Sequence, residues 1–141
     1  MTAREYLSRP RTLLQEIARK QRRILFLRRL ADSTTAPLRE ITVQSTADPT
    51  RVQAFLAEAA DEEEEIRRLE AAREQALIDA ALAISLLPDE KQVMLMEMKY
   101  LDGCGWAEIA SQLAFCRSRT YRLHQLALEW LDNLPEIRNA E

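Results

Sequence analysis

Apolar residues recur along most of this chain at intervals of three and four, the spacing of one face of a helix, rather than in the alternation of a half-buried strand. Leu7, Leu14, Ile17, Ile24, Leu27 and Leu30 form the first such stripe. It is narrow, closer to the seam of a coiled coil than to the broad face of a globular helix. Thr2 and Glu5 stand ahead of it at capping-box spacing, so a helix is expected to start there. Pro10 has no amide to bond back to Tyr6 and crowds that carbonyl. The expectation is a kink near residues 6 to 10, or a helix that begins at Pro10 itself.

From Asp32 to Asp48 the pattern lapses into a Ser-, Thr- and Pro-rich stretch that reads as a loop. It is longer than a tight helical hairpin needs. Ile41 and Val43 within it are exposed unless they fold back on the hairpin end. Asp48 followed by Pro49 is a cap-then-proline start for a second long helix. Val52, Phe55, Leu56, Ala59, Ile66, Leu69, Ala76, Leu77, Ala80, Ile84 and Leu87 make its stripe, with no Gly or Pro before Leu87. Such a helix spans roughly 50 Å, too long for a compact domain of this size. The two stripes predict an antiparallel helical hairpin over residues 1–87, with its loop at about 32–48.

Beyond Leu87 the stops come closer together. Pro88 is expected in the first turn of a helix that Asp102 and Gly103 end, a second helix starts at about Trp106, and a third near Arg117. Ile109, Ala110, Leu113, Phe115, Thr120, Leu123 and Ala127 are the inward positions of the last two, which suits a pair joined by a short turn and packed steeply. The outward face of the third helix is then Arg117, Ser118, Arg119, Tyr121, Arg122 and Gln125, with no acid before Glu129. That is the composition of a helix lying in the major groove of duplex DNA. The expected fold is all-α: a long antiparallel hairpin, a three-helix DNA-binding domain over 88–134, and a tail over 135–141.

Charge sharpens this picture. The chain of 141 residues carries a net charge of −3, so DNA affinity has to come from how charge is distributed. Residues 1–31 hold nine Arg or Lys against two Glu, and residues 58–74 hold eight acids against three Arg. Opposed in a hairpin, these would set register more than stability, since an exposed ion pair contributes only about 0 to 1 kcal/mol. The alternative is that the basic residues contact phosphate directly.

Other chemistry is sparse. Cys104 and Cys116 form no CxxC pair and suit a reducing compartment. With His124 they match no recognised metal-ligand spacing, so neither a metal nor a cofactor is expected. No Ser/His/Asp set, Gly-rich phosphate loop or HExxH occurs, which argues against an enzyme. Trp106, Tyr100 and Trp130 fall on apolar helical faces and read as core, and His124 as a half-buried packing residue. Without a signal peptide or an apolar run of about 18 residues, a cytoplasmic protein is expected.

The segments Leu87-Pro88, KYLDG, WAEIASQL and the RLH of residues 122–124 resemble region four of bacterial sigma factors, the helix-turn-helix that reads the upstream promoter hexamer. Over nearly its whole length, with MTAREYLSRPRTLL and PLREITVQST ahead of the sigma-like end, the chain is similar to small phage and prophage proteins related to the RinA and ArpU late-gene regulators. The resemblance implies a regulator that binds double-stranded DNA, with RNA polymerase as a further partner and no enzymatic activity. The chain departs from the pattern at Ala114, where the turn commonly has Gly, at Gly105 and Cys116, where the caps are often Ser or Thr, and at Thr120, where Val or Ile is common. A homo-oligomer assembled through the hairpin is expected. The competing readings are an oligomeric adaptor and a DNA-packaging component like a small terminase, although in the latter the DNA-binding module commonly lies N-terminal.

Overall fold

Thr2 and Glu5 close the capping box: Glu5 Oε2 accepts from the Thr2 amide at 3.0 Å and Thr2 Oγ1 accepts from the Glu5 amide at 3.2 Å. From this start α1 (Ala3–Thr35) continues through Pro10, which lies inside it. The helix therefore does not begin at the proline. An interior proline costs about 3 kcal/mol, and here the turns on either side bury Leu7 and Ile17.

The computed structural model describes residues 1–35 and 49–140. After α1 come α2 (Pro49–Ser85), α3 (Glu90–Met96) continued by a π-helical turn (Glu97–Leu101), α4 (Trp106–Leu113), α5 (Arg117–Asp132) and a short α6 (Pro135–Arg138). Among the described residues there is no strand, and no helix is long and apolar enough to cross a membrane. α1 extends to Thr35, past Asp32, where the apolar pattern places the start of the loop. Ile41, Val43 and the Asp48 cap lie outside the described residues. α2 stops at Ser85 instead of Leu87, and the amides of Leu86 and Leu87 close a tighter last turn on the carbonyls of Ala83 and Ile84, both at 3.1 Å.

The chain forms two compact units, one of residues 13–72 and the other of residues 1–12 with 73–141. This division differs from a boundary at Leu87. In the first unit Ile17, Ile24 and Leu27 of α1 bury against Ala59 and Ile66 of α2, with Phe55 and Leu69 at the margin. Lys20 pairs with Glu62 at 3.0 Å, Arg23 with Glu58 at 2.9 Å, and Arg28 with Glu63. Ile17 and Ile24 thus share one core with Ala59 and Ile66, and the two helices carry opposite charge along the seam. Leu14, expected in the seam, is exposed, and Leu13 is the half-buried residue of that turn. Both satisfy helical spacing from Pro10 and Ile17, so periodicity does not separate them.

The second unit is the head. Its core joins Ala3 and Leu7 of α1, Ala80, Ala83 and Ile84 of α2, and Leu87 just beyond it, to Leu95, Met96, Ile109, Leu113, Ala127, Leu128 and Leu131. The Ala3 amide, one of the free donors at the start of α1, donates to Asp132 Oδ1 at 2.6 Å. Residues 135–138, expected as part of a tail, form α6. Pro135 opens α6 in the position where its missing amide costs nothing, and Ile137 is wholly buried in the same core.

Candidate nucleic-acid interface

The surface of α5 is set by the turns that precede it. Asp89 caps α3, its carboxylate accepting from the Lys91 amide at 3.0 Å, so Pro88 lies ahead of the cap and outside the first turn. After the π-helical turn the Asp102 amide bonds to the Glu97 carbonyl at 3.0 Å and the Cys104 amide to Met98 at 2.8 Å. Gly103 makes this reversal at φ 74, a left-handed backbone that a residue without Cβ adopts freely. α4 then starts at Gly105 and α5 at Cys116, neither with a side-chain cap.

Between α4 and α5 the chain turns at Ala114, which is left-handed at φ 58 and ψ 36. For an alanine this conformation costs about 1 to 2 kcal/mol. Two bonds hold the turn, Ala114 amide to Ser111 carbonyl at 3.2 Å and Phe115 amide to Ala110 carbonyl at 3.1 Å. Thr120 faces inward, and its hydroxyl donates to the Cys116 carbonyl at 2.9 Å. That bond satisfies the polar atom of this buried side chain.

Thr120, His124, Ala127, Leu128 and Leu131 form the buried side of α5, with Leu123 half-buried beside them. Arg117, Ser118, Arg119, Tyr121, Arg122 and Gln125 are all exposed. Two of these side chains rest on an aromatic neighbour. The Arg119 guanidinium lies 3.9 Å from the centre of the Phe115 ring, a stacked geometry that holds it close to the turn. Tyr121 tilts against Trp106 with ring centres 4.5 Å apart. Trp130 is not core: it is 38% exposed, and Leu126, a turn earlier on the same side, is 50% exposed. The inward face is already occupied by Leu128 and Leu131, which turns Trp130 outward.

Behind Tyr121 lies an aromatic cluster. Trp106 meets His124 edge-on at 4.9 Å, and His124 Nε2 is 2.8 Å from the Tyr100 hydroxyl. His124 is buried, not half-buried. Burial foremost, then the charges of Lys99 and Arg4, lowers its pKa to about 4, so the ring is neutral at neutral pH. Burial likewise raises the Tyr100 pKa. With the imidazole proton on Nδ1, the phenol donates into Nε2. Lys99 Nζ sits 4.5 Å from the Trp106 ring centre and 5.6 Å from that of Tyr100. Burial lowers its pKa, and repulsion from Arg11 and Arg4 lowers it further.

The sequence pattern singles out none of Lys99, Arg4 or Arg11. The fold brings them beside this cluster, and the only local signal is the adjacency of Lys99 and Tyr100. Cys104 is half-buried and Cys116 exposed, both as free thiols. Burial, followed by the Glu108 carboxylate, pushes the Cys104 pKa up, against the thiolate form a metal would need. Among the described residues no group of three or more His, Cys, Asp or Glu could hold a metal ion. Comparison of the chain with protein families, curated proteins and solved structures finds no match.

Proposed function

We propose that this chain is a DNA-binding transcriptional regulator of the phage or prophage type, with α4 and α5 acting as a helix-turn-helix and α5 lying in the major groove of duplex DNA. The observation that carries this reading is the division of α5 into an inward side of Thr120, His124, Ala127, Leu128 and Leu131 and an outward side of Arg117, Ser118, Arg119, Tyr121, Arg122 and Gln125. No acid interrupts that outward side before Glu129. The resemblance to sigma region four and to RinA- and ArpU-type regulators supports the same reading. RNA polymerase and a second copy of the chain, joined through the hairpin, are the partners it entails, and the cytoplasm its compartment.

In this arrangement Arg119 and Arg122 approach base edges or flanking phosphates, and Arg117 and Ser118 at the start of the helix lie near the backbone. Replacing Arg119 and Arg122 together with Ala is expected to cost about 1 to 3 kcal/mol for each base-edge interaction removed, and to flatten the salt dependence by about one unit for each phosphate no longer neutralised. Titration of labelled duplex at several salt concentrations measures both. Unchanged affinity and slope would refute the reading.

A second reading, an oligomeric adaptor, draws on the hairpin unit, where Leu25, Phe26 and Leu56 are 55%, 49% and 49% exposed. Exposed large apolar side chains can be covered by another subunit. The adaptor takes precedence if the protein assembles through these residues and shows no affinity for duplex DNA at low salt.

A further inference from the structure

Of the nine basic residues of the first 31, five fall into two contrasting sets once the fold is known. In the hairpin unit Lys20, Arg23 and Arg28 face Glu62, Glu58 and Glu63. In the head Arg4 and Arg11 are exposed and, among the described residues, pair with no carboxylate; nor does Lys99.

Arg4, Leu7 and Arg11 lie three and then four residues apart, which places them on one face of α1 with the arginines about 10 Å apart along its axis. Leu7 points into the core that holds Leu95 and Met96, immediately before the π-helical turn that carries Lys99. The two arginines therefore flank Leu7 on that face, and their charges act on Lys99. Burial foremost, and then the like charges of Arg11 and Arg4, disfavours the charged form of Lys99, so the three cations repel one another. A polyanion laid across them would relieve that repulsion.

The cluster is also continuous with the face of α5. Lys99 sits on Trp106 at 4.5 Å, Trp106 packs on Tyr121 at 4.5 Å, and Tyr121 stands beside Arg122 among the exposed residues of α5.

We propose that Arg4, Arg11 and Lys99 form a second, sequence-independent contact with the phosphate backbone of the duplex that α5 enters, so that the first turns of the long N-terminal helix dock the DNA beside the major-groove contact. This rests on the DNA-binding reading of α5 and extends the interface to a helix far from it in sequence. Phosphate contacts position a protein on DNA and base contacts specify the site. Arg4, Arg11 and Lys99 are thus positioning residues, and Arg119 and Arg122 carry sequence preference.

The test uses the full chain and a fluorescein-labelled duplex of mixed sequence, with the dissociation constant followed by anisotropy over a range of salt concentrations. Arg4→Gln with Arg11→Gln is expected to weaken binding about tenfold or more at low salt and to reduce the log–log salt slope by about two units, near 0.9 for each phosphate contact. Arg4→Lys with Arg11→Lys, which keeps the charge, restores most of the slope and guards against a folding defect. Arg19→Gln with Arg22→Gln, which removes two exposed charges from the hairpin unit, leaves the slope as it is.

Normal affinity and slope in the Arg4/Arg11 glutamine variant, with weakened binding in the Arg119/Arg122 alanine variant, would overturn this inference and leave α5 as the reader. An equal weakening in the Arg19/Arg22 variant would overturn it as well, since the effect would then be one of bulk charge. A wild-type chain with no affinity for duplex at low salt would instead remove the DNA-binding reading on which the inference rests.

Discussion

Ala114 holds the one left-handed non-glycine backbone among the described residues, and it sits at the turn that aims α5. Ala114→Gly relieves about 1 to 2 kcal/mol of strain and gives back about 0.4 to 1 kcal/mol in unfolded-state entropy. A net gain of about 1 kcal/mol raises the melting temperature by roughly 4 °C in scanning calorimetry. His124 sets a pH dependence of the opposite kind. The fold keeps its imidazole neutral down to about pH 4, whereas the unfolded chain takes up the proton near pH 6.5. Acid therefore favours the unfolded state, and stability falls as pH is lowered from about 6.5 toward about 4. Melting temperatures measured between about pH 7.5 and pH 5 should decline in the wild type and decline less in His124→Gln. Equal slopes in the two proteins would show that His124 is not the group responsible.

Elements bounded by local chemistry were legible. The Thr2–Glu5 box, the reversal at Gly103 and the start of α5 at Arg117 each depend on residues within one turn of one another. Where tertiary contact decides, the sequence was silent. Leu13 and Leu14 fit the seam equally well, Trp130 matches an apolar stripe that α5 does not bury, and Ile137 is a lone apolar residue in a polar stretch that owes its burial to the head core. In the hairpin, Leu25 and Phe26 lie off the apolar stripe and are exposed, while Leu56, which fits the second stripe, is exposed as well. Their exposure predicts self-association. Light scattering should give a mass above that of one chain at moderate concentration, and Phe26→Glu with Leu56→Glu should return it to the monomer. A monomer mass for the wild type over a wide concentration range would end this reading.

At the scale of the whole molecule the candidate site was only half legible. The α5 residues follow from the pattern of one helix, but Arg4 and Arg11 reach the head through a contact of high sequence separation, and in the sequence they were indistinguishable from the other basic residues of α1. Because Leu7 belongs to the head core, Leu7→Ala is expected to destabilise the head by about 2 to 5 kcal/mol and Ile24→Ala to act on the hairpin unit. The two are separable in one denaturant titration: both tryptophans, Trp106 and Trp130, lie in the head, so fluorescence follows that unit while circular dichroism follows all the helices. Leu7→Ala should shift the fluorescence transition more than Ile24→Ala does. The shared core also dictates an order of events on the ribosome. At about 5 to 20 residues per second, synthesis from Leu7 to Leu131 takes roughly 6 to 25 s, and until it ends the first turns of α1 lack part of the core that covers them. The nascent chain thus acquires its hairpin contacts before its head can close. A product cut short before α5 lacks Ala127, Leu128, Leu131 and Asp132, so Leu7 loses part of its core, the Ala3 amide loses its acceptor, and the head is left unfinished.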